Sequence, residues 1–485
     1  AISESAVLKD SGLFEDVKTA GPGFINFYLD KKIWQKELER ILRDKKNVGR
    51  SLLGKNKKIH MEFISANPTG PLHVGHGRGA VLGDVLANLY EKLGYTVWRE
   101  YYVNDYGNQV QTLGESVKAY VDHLADNRPY TPEEGWYQGD YIKDVALRLF
   151  KEKGPDLDRT ASGQFAAQWI LKNSIEKDLA SFGVKPFDRY FSEKSMHENN
   201  DIQTTIEELK KKKCVKEEDG ALWFLSRKYG DEKDRVIIRK NGLPTYLASD
   251  ITYHQKKFEQ DYQEVVNIWG ADHHGYIQRV KGSMEALGFD SDRLKIVLVQ
   301  MVNLKRGGVS VKMSKRSGEY ITLKDVIDEV GADAARFTFL TRRSESHLDF
   351  DLDLVKSKSM DNPVFYLQYA YARTCNIFEY AKKEKIDLNK IHPDLDLLNK
   401  EELSMIKVMS GYEEILLQCV VQHEPYYLVD YLLGLAKEFH SYYNKHRVIT
   451  QNRSETETRL CFVNAIHLVL EDALNVLGVQ APRRM

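Results

Sequence analysis

The sequence predicts the α/β fold class, with a doubly wound parallel sheet, a helical insertion and an all-α helical bundle at the C-terminal end. Two observations predict it. Between residues 57 and 302, short apolar runs of strand character alternate with amphipathic segments, which is the order that builds parallel sheets. From Asp333 onward only the helical period of apolar residues remains. The 485 residues suffice for about two to four domains with buried cores.

The composition is that of a globular protein without an overall charge bias. Hydrophobic residues make up 42% and charged residues 29%, and 70 Lys and Arg balance 71 Asp and Glu. Any surface that binds nucleic acid must therefore be local. The four cysteines form no CxxC pair, which favours free thiols in a reducing compartment, and we expect a cytoplasmic protein. We find no stretch of membrane-span length and expect no membrane partner.

The stretch 57–93 reads as a strand, a turn broken by Gly and Pro, and a long helix. His73 and His76 stand three residues apart and share a face of the first helical turn. Gly75 lies between them and lets another group approach the backbone, and the N-terminus of a helix attracts phosphate. The turn is a candidate nucleotide site, although the glycines could serve only helix packing and the histidines could be ordinary helix-end residues.

Further segments continue the alternation of strands and helices. We predict buried strands at residues 96–103, 264–269 and 294–302, and a hairpin at 235–248 with its turn at 241–242. Polar residues follow the first two of these strands, and the carboxyl ends of parallel strands are where ligands bind. Residues 111–230 are charged and mostly helical, and we interpret them as an insertion between two halves of the sheet.

A cationic stretch follows the last predicted strand. Residues 305–318 read KRGGVSVKMSKRSG, in which Gly and Ser favour mobility and five side chains are cationic, Lys312 and Lys315 among them. A flexible lysine loop beside a parallel sheet suits a triphosphate, because the charge of the departing group must be neutralised. A solvated basic loop without function is the alternative.

Two aromatic–basic clusters lie in the helical region. Tyr369 and Arg373 fall on one helix, and Tyr442 and Arg447 form the second cluster. Rings that stack on bases, beside guanidiniums that hold phosphates, suit single-stranded RNA, and we predict that these four side chains contact RNA. The alternative is that the aromatic rings belong to the core.

The histidine turn (HVGH, 73–76) and the lysine stretch (KMSKR, 312–316) together resemble the two signatures of class I aminoacyl-tRNA synthetases. The resemblance extends from about residue 20 to the end of the chain, and a single departure, Arg316 in place of Ser, is minor. Longer stretches resemble arginyl-tRNA synthetases of the bacterial type: EFISANPTGPLHVGHGRG (62–79), YYVNDYGNQV (101–110), PTYLASDITYH (244–254), GADHHGYI (270–277), GADAARF (331–337), NPVFYLQYAYAR (362–373) and LGVQAPRRM (477–485).

The resemblance implies a domain plan and a reaction. Residues 31–345 would form a Rossmann-like catalytic domain with residues 111–230 as its insertion, and residues 346–485 an anticodon-binding bundle. Residues 1–30 would be the remnant of an N-terminal tRNA-binding module that is largely missing. The reaction would be ATP-dependent ligation of L-arginine to its tRNA through an arginyl-adenylate, for protein synthesis, by a cytoplasmic monomer. Many members need bound tRNA before they activate arginine, and we expect this here.

The resemblance also implies roles for individual residues. A guanidinium is planar and always charged, so a selective pocket needs a carboxylate for its fork of donors. Asp250 and Tyr246 would grip the guanidinium, with Glu62 in support. Ser65 and Asn67 would orient the α-groups of arginine, and His273 would line the same site.

The remaining roles concern ATP. The catalytic residues would be His73, His76, Lys312 and Lys315, with the two lysines on the pyrophosphate. Mg²⁺ would be bound by the ATP phosphates, and no metal site formed by protein side chains is predicted. The residues implied to bind ATP are His73, Gly75, His76, Gly270, Asp272, His274, Lys312 and Lys315.

Two other hypotheses compete. A class I synthetase for another amino acid, such as glutamine or cysteine, is disfavoured because two carboxylates and Tyr246 suit a cation. A non-catalytic tRNA-binding paralogue is disfavoured because both signatures are intact. The sequence leaves open which residues read the anticodon.

Overall fold

A computed structural model describes residues 12–126, 129–311 and 321–485. The chain divides into two compact units. One unit comprises the described residues up to Ser51 together with 358–422 and 426–485, and the other comprises Leu52–Ser357 with His423–Pro425.

The described residues begin with a hairpin and a helix that belong to the first unit. Strands β1 (Phe14–Ala20) and β2 (Phe24–Leu29) pair antiparallel. Helix α1 (Lys31–Asp44) follows, and the carboxylate of Asp30 caps it by accepting the N–H of Lys32 at 2.8 Å.

The second unit is the α/β part of the chain. Its strands are β3 (Lys58–Glu62), β4 (Thr96–Val103), β5 (Arg189–Ser192), β6 (Val215–Glu218), β7 (Ala221–Phe224), β8 (Arg235–Ile238), β9 (Glu264–Gly270), β10 (Leu294–Val299), β11 (Val302–Arg306), β12 (Val309–Ser310) and β13 (Leu348–Asp351). Its helices are α2 (Val74–Lys92), α3 (Asn108–Asp126), α4 (Asp140–Lys153), α5 (Arg159–Ile170), α6 (Glu176–Ser181), α7 (Glu193–Glu198), α8 (Asp201–Lys211), α9 (Tyr246–Phe258), α10 (Ile277–Leu287), α11 (Leu323–Val330), α12 (Ala332–Phe339) and α13 (Leu352–Lys356).

Five parallel strands form the central sheet in the order β10-β9-β3-β4-β5. The chain runs outward from β3 through β4 to β5 and later returns to the other side of β3 as β9 and β10. Strand order reverses at β3, so the carboxyl ends of β3 and β9 flank the crevice where ligands bind in such sheets. The predicted doubly wound parallel sheet is confirmed.

The interpretation of residues 111–230 as a mostly helical insertion was incomplete. This block also contains β5, which pairs with β4 in the central sheet, and it contains β6 and β7, which form a small antiparallel sheet with β8. Strand β5 has only four residues, RYFS, too few for a period-two pattern to stand out.

The predicted hairpin at 235–248 was only half right. Strand β8 is present, but its return is a single bridge between Ile238 and Pro244, and α9 begins at Tyr246. Proline has no N–H to offer a longer ladder. The predicted strand 294–302 ends at Val299, and Val302 starts β11 in a separate three-stranded sheet with β12 and β13.

The structure shows which glycines of α2 serve close packing of the helix and which one lies at the histidine turn. A Cβ atom at Gly83 would lie 2.2 Å from Cγ of Phe63, and one at Gly77 would lie 2.6 Å from Cδ1 of Leu323. These two glycines therefore serve close packing. At Gly75 the nearest contact would be the His73 ring, at 3.1 Å, so this glycine is tied to the histidine turn itself.

The first unit is completed by long C-terminal helices: α14 (Pro363–Lys383), α15 (Lys400–Ser410), α16 (Tyr412–Val421), α17 (Tyr426–Lys445) and α18 (Arg453–Leu477). Helix α1 packs against α15 and α18, and Nη1 of Arg40 lies 2.5 Å from Oε1 of Glu413. The predicted start of the catalytic domain at residue 31 therefore differs from the packing, which assigns α1 to the helical unit.

Helix α18 is long and apolar enough to cross a membrane by length and composition, contrary to our reading that no stretch reaches that length. Its burial offers the physical reason for its composition. Of its most apolar 18-residue window, 67% is buried inside the protein, as in the core helix of a helical bundle.

Candidate active site

The histidine turn is built into the first turn of α2. Nδ1 of His73 accepts the N–H of Gly75 at 3.2 Å, and Nδ1 of His76 accepts the N–H of His73 at 3.2 Å. The two rings stack with their centroids 3.6 Å apart and are partly exposed. The backbone thus fixes both imidazoles on one face at the N-terminus of a helix, beside the crevice.

The predicted lysines of the loop, Lys312 and Lys315, lie outside the described residues. The chain on either side is described. The β11–β12 hairpin precedes them, and after them Thr322 forms a bridge with His73, while the N–H of Leu323 donates to the carbonyl of Leu72 at 2.7 Å. The chain that leaves the lysine stretch therefore returns directly to the histidine turn.

A strained turn follows β3 at the crevice. Ile64 and Ser65 both lie in the left-handed region, with φ of 71° and 43°. This conformation is rare for residues other than glycine, above all for a β-branched one, and such strain concentrates at functional sites. Oγ of Ser65 donates to Oε1 of Glu62 at 2.8 Å and accepts the N–H of Tyr102 at 3.1 Å. Nδ2 of Asn67 donates to Oε1 of Gln109 at 2.6 Å.

A cavity of about 440 Å³, called the acidic cavity below, lies among α3, α5, α7 and α9. Its lining includes Tyr246, Ser249, the carboxyls of Asp105 and Glu193, and the guanidinium of Arg239. Asp250 follows Ser249 along α9 and is not itself among the lining residues. Burial raises the pKa of Asp250 to about 7, with the nearby charges of Glu193 and Glu62 adding to the shift. Burial, then Asp105, raises the pKa of Glu193 to about 7. Two acids that are costly to ionise without a counter-charge favour a cationic ligand.

Glu62 lies beneath this cavity and is 6% exposed. Its Oε2 is 2.5 Å from Nζ of Lys257, and its Oε1 accepts the Ser65 hydroxyl. The structure thus brings Glu62 together with Ser65, and protein donors occupy both oxygens of the Glu62 carboxylate.

The polar residues after β9 form a short 3₁₀ helix, Ala271–Tyr276, at the carboxyl end of that strand. Asp272, His273 and His274 are exposed there, with Nε2 of His273 3.7 Å from Oδ2 of Asp272. A Cβ at Gly270 would lie 2.5 Å from Oδ1 of Asp272, so glycine lets that carboxylate fold back over the strand end. His273, predicted to contact arginine, is not among the residues that line the acidic cavity.

Comparison with known proteins decides the family. Residues 37–346 match the family model of the class I tRNA synthetase (R) catalytic domain, and residues 367–485 match that of the DALR anticodon binding domain. The arginine–tRNA ligase of Citrifermentans bemidjiense is 46% identical over 100% of this chain and 89% of that relative. This chain belongs to the arginyl-tRNA synthetase family. The recognition of the family, and of a class I ligase, is confirmed.

Solved structures of arginyl-tRNA synthetases share the fold. A protein from Campylobacter jejuni, assigned to these synthetases, is 36% identical with a TM-score of 0.87, covering 94% of this chain and 100% of that one. The Thermus thermophilus arginyl-tRNA synthetase is 20% identical with a TM-score of 0.75, covering 98% of this chain and 89% of that one. At the latter identity the likeness concerns the fold alone.

Within this synthetase, sequence reasoning missed Glu193. The residue is 4% exposed, lines the acidic cavity and begins α7 directly after β5. Its position at the carboxyl end of a parallel strand is a signal that could have found it, but β5 had not been recognised.

The predicted tRNA-contacting residues separate into two groups. The Arg373 guanidinium lies between two rings, 4.8 Å from the centroid of Tyr369 and 4.4 Å from that of Tyr443. Arg447 is exposed. The prediction for Tyr442 was wrong, because its side chain is 1% exposed and its hydroxyl donates to Oε1 of Glu402 at 2.6 Å. Here the core alternative holds, and the exposed ring of the cluster is Tyr443.

Proposed function

We propose that this synthetase ligates L-arginine to its tRNA in two steps, through an arginyl-adenylate formed from ATP. The acidic cavity is the observation that carries this proposal. Glu193 lines it, Asp250 lies next to its lining on α9, and both carboxyls have a raised pKa, which suits a cationic amino acid. The histidine turn supplies a helix N-terminus that suits the phosphates of a nucleotide.

In this proposal Asp250 and Glu193 take the guanidinium of arginine, with the Tyr246 hydroxyl as a further partner. A guanidinium presents five donors in one plane, so two carboxylates and a phenol can share it. Ser65 and Asn67 stand on the strained turn and would orient the α-carboxylate and α-ammonium. Glu62 would act from beneath, by holding Ser65 through the bond between Oγ and Oε1.

ATP would lie along the N-terminus of α2. Its phosphates would face the amides and imidazoles of His73, Gly75 and His76, and the ribose would reach Asp272 and Gly270, with His274 beside them. Mg²⁺ would be carried by the ATP phosphates and would neutralise part of their charge. Lys312 and Lys315 would hold the pyrophosphate, and the bridge from Thr322 to His73 supports this because Thr322, seven residues after Lys315, lies at the histidine turn.

The chemistry requires positioning rather than a protein nucleophile. The arginine carboxylate attacks the α-phosphorus of ATP in line, the bond to the β-phosphate bridging oxygen breaks, and pyrophosphate leaves. The 2′-hydroxyl of the terminal adenosine of tRNA then attacks the activated carbonyl carbon, and AMP leaves. The histidine turn and the lysine loop would stabilise charge that develops in the first of these transition states.

The remaining parts of the proposal concern tRNA and assembly. The C-terminal helices would bind the anticodon stem and loop, with the Tyr369–Arg373–Tyr443 stack as one contact and Arg447 as another. Catalysis would lie within residues 31–345, of which α1 packs with the helical unit, and residues 346–485 would bind the anticodon. Residues up to 30 would belong to a tRNA-binding module. We propose a cytoplasmic monomer.

Pyrophosphate exchange across the amino acids, with and without tRNA, tests the proposed function. We expect exchange with L-arginine alone, and only when tRNA is present. Exchange with a different amino acid would show that this amino acid, and not arginine, is the substrate. Binding of tRNA without exchange for any amino acid would identify a non-catalytic paralogue.

A further inference from the structure

A buried lysine beneath the acidic cavity takes no part in the mechanism above. Lys257 lies on α9, about two helical turns after Asp250, and its side chain is 2% exposed. Its ammonium donates to Oε2 of Glu62 at 2.5 Å and to Oδ1 of Asn267 at 3.0 Å, and it lies 4.0 Å from the centroid of the Tyr253 ring. A fully buried ammonium is retained only where such partners compensate its lost hydration.

One chain of hydrogen bonds links Lys257 to the turn that carries Ser65. Glu62 receives the lysine on one oxygen and the Ser65 hydroxyl on the other, at 2.8 Å. Oγ of Ser65 in turn accepts the N–H of Tyr102 at 3.1 Å. Lys257 therefore orients the carboxylate that holds the strained turn in its left-handed conformation.

A second chain of hydrogen bonds links Lys257 to the backbone of Asp250. Nδ2 of Asn267 donates to Nε2 of His254 at 2.7 Å, and Nδ1 of His254 donates to the carbonyl oxygen of Asp250 at 2.8 Å. Burial holds the pKa of His254 well below its usual value, so the ring is neutral, as a ring with one donor and one acceptor nitrogen requires. The same ammonium thus connects the turn that carries Ser65 with the turn of α9 that carries Asp250.

Lys257 also affects how many carboxylates are available to a bound ligand. Glu62, Glu193 and Asp250 are three acids in one small region. Lys257 pairs directly with Glu62, and its charge also lowers the pKa of Asp250. Glu193, which lines the cavity, and Asp250 beside it on α9 are the acids left for a ligand. A planar guanidinium can use both of them through its fork, whereas the ammonium of lysine is a point charge that pairs equally well with any carboxylate.

We propose that Lys257 is a positioning residue that sets the specificity of the amino-acid site, by holding Glu62 out of contact with the ligand and by fixing the backbone segments that carry Ser65 and Asp250. The proposal rests on the proposed arginine specificity. When Lys257 is absent, Glu62 becomes a third available carboxylate, and the ammonium of a bound lysine can take the place of the missing one.

Exchange kinetics with tRNA present test the proposal in four proteins: wild type, Lys257→Met, Lys257→Met with Glu62→Gln, and Lys256→Met. Lys256 is the matched control, because it neighbours Lys257 on α9 but pairs with Asp201 at 2.8 Å with its side chain 36% exposed. The readouts are the KM for arginine and the Ki for L-lysine as a competitor. Thermal unfolding of each variant checks that it is folded.

We expect the ratio of lysine Ki to arginine KM to fall at least tenfold in Lys257→Met. The ratio should return to within threefold of wild type in the double variant, because the neutral amide that replaces the Glu62 carboxylate no longer attracts an ammonium. Lys256→Met should match wild type. If Lys257→Met does not fold, Lys257→Gln carries the same expectation. A proportional rise of both constants, or a ratio that the double variant does not restore, would overturn the proposal. Arginine-dependent exchange by the wild type tests the proposed function separately.

Discussion

Two carboxyl side chains, Asp250 and Glu193, dominate the amino-acid site at the scale of single residues. We predict that Asp250→Asn raises the KM for arginine about 100-fold, a loss of about 2.7 kcal/mol, because a buried guanidinium loses a counter-charge. The KM for ATP should stay unchanged. Pyrophosphate exchange with tRNA measures both constants. Asp261→Asn, the same change at an exposed position, is the control. An unchanged KM for arginine would place the guanidinium elsewhere.

The raised pKa values of these two carboxyls predict how arginine binding depends on pH. Both pKa values lie at about 7 before a ligand binds, so the carboxyls are largely protonated at pH 6 and ionised at pH 8. Guanidinium binds the ionised form, so we expect arginine affinity to rise between pH 6 and 8, with protons released on binding. Calorimetry in two buffers of different ionisation heat counts those protons. Glu193→Gln should lower the count, and proton uptake would contradict the prediction.

Residue type and position in the sequence sufficed to nominate most residues of the proposed site but could not reveal each side chain's partners. Asp250 and Tyr246 fall beside one cavity because a spacing of four residues places them on one face of a helix. Glu62 was predicted from its strand end, but its pairing with Lys257 depends on a residue 195 positions away. Tyr442 and Tyr443 are adjacent and chemically identical, and only the packing of the bundle determines which one is buried.

Helix α2 offers a matched pair of glycines at the scale of one element. At Gly83 an added Cβ would overlap the Phe63 side chain, whereas at Gly79 nothing lies within 4 Å of it. We predict that Gly83→Ala destabilises the protein by about 1–3 kcal/mol through overpacking. Gly79→Ala should stabilise it by about 1 kcal/mol, because alanine is the better helix former. Thermal unfolding of the two variants checks both signs, and shifts in the same direction would refute the packing argument.

Element prediction succeeded where the period of apolar residues was long and failed where an element was short. Strand β4 was predicted with its observed bounds because eight residues carry its pattern. Strand β5, with four residues, gave no such signal, and its loss hid Glu193. The left-handed pair Ile64–Ser65 could not be predicted either, because the residue types argue against that conformation and the surrounding contacts impose it.

At the scale of the whole molecule, the order of strands and helices sufficed to predict a doubly wound sheet and a helical C-terminal region. It did not predict which distant segments pack together. Helix α1 is amphipathic, and its pattern of apolar residues predicts that one face is buried. The pattern does not predict which elements cover that face. The partners are α15 and α18, more than 350 residues later.

Because α1 packs against α15 and α18, a destabilising substitution in α1 should also destabilise these two helices. Leu38 faces the bundle with 0% exposure, so Leu38→Ala should weaken the unit by about 3 kcal/mol. Amide hydrogen exchange in α15 and α18 should then accelerate by about two orders of magnitude. Exchange in β3 and β9, which belong to the other unit, should change little. Lys36→Ala, on the exposed face of the same helix, is the control, and equal acceleration in both units would show that they unfold as one.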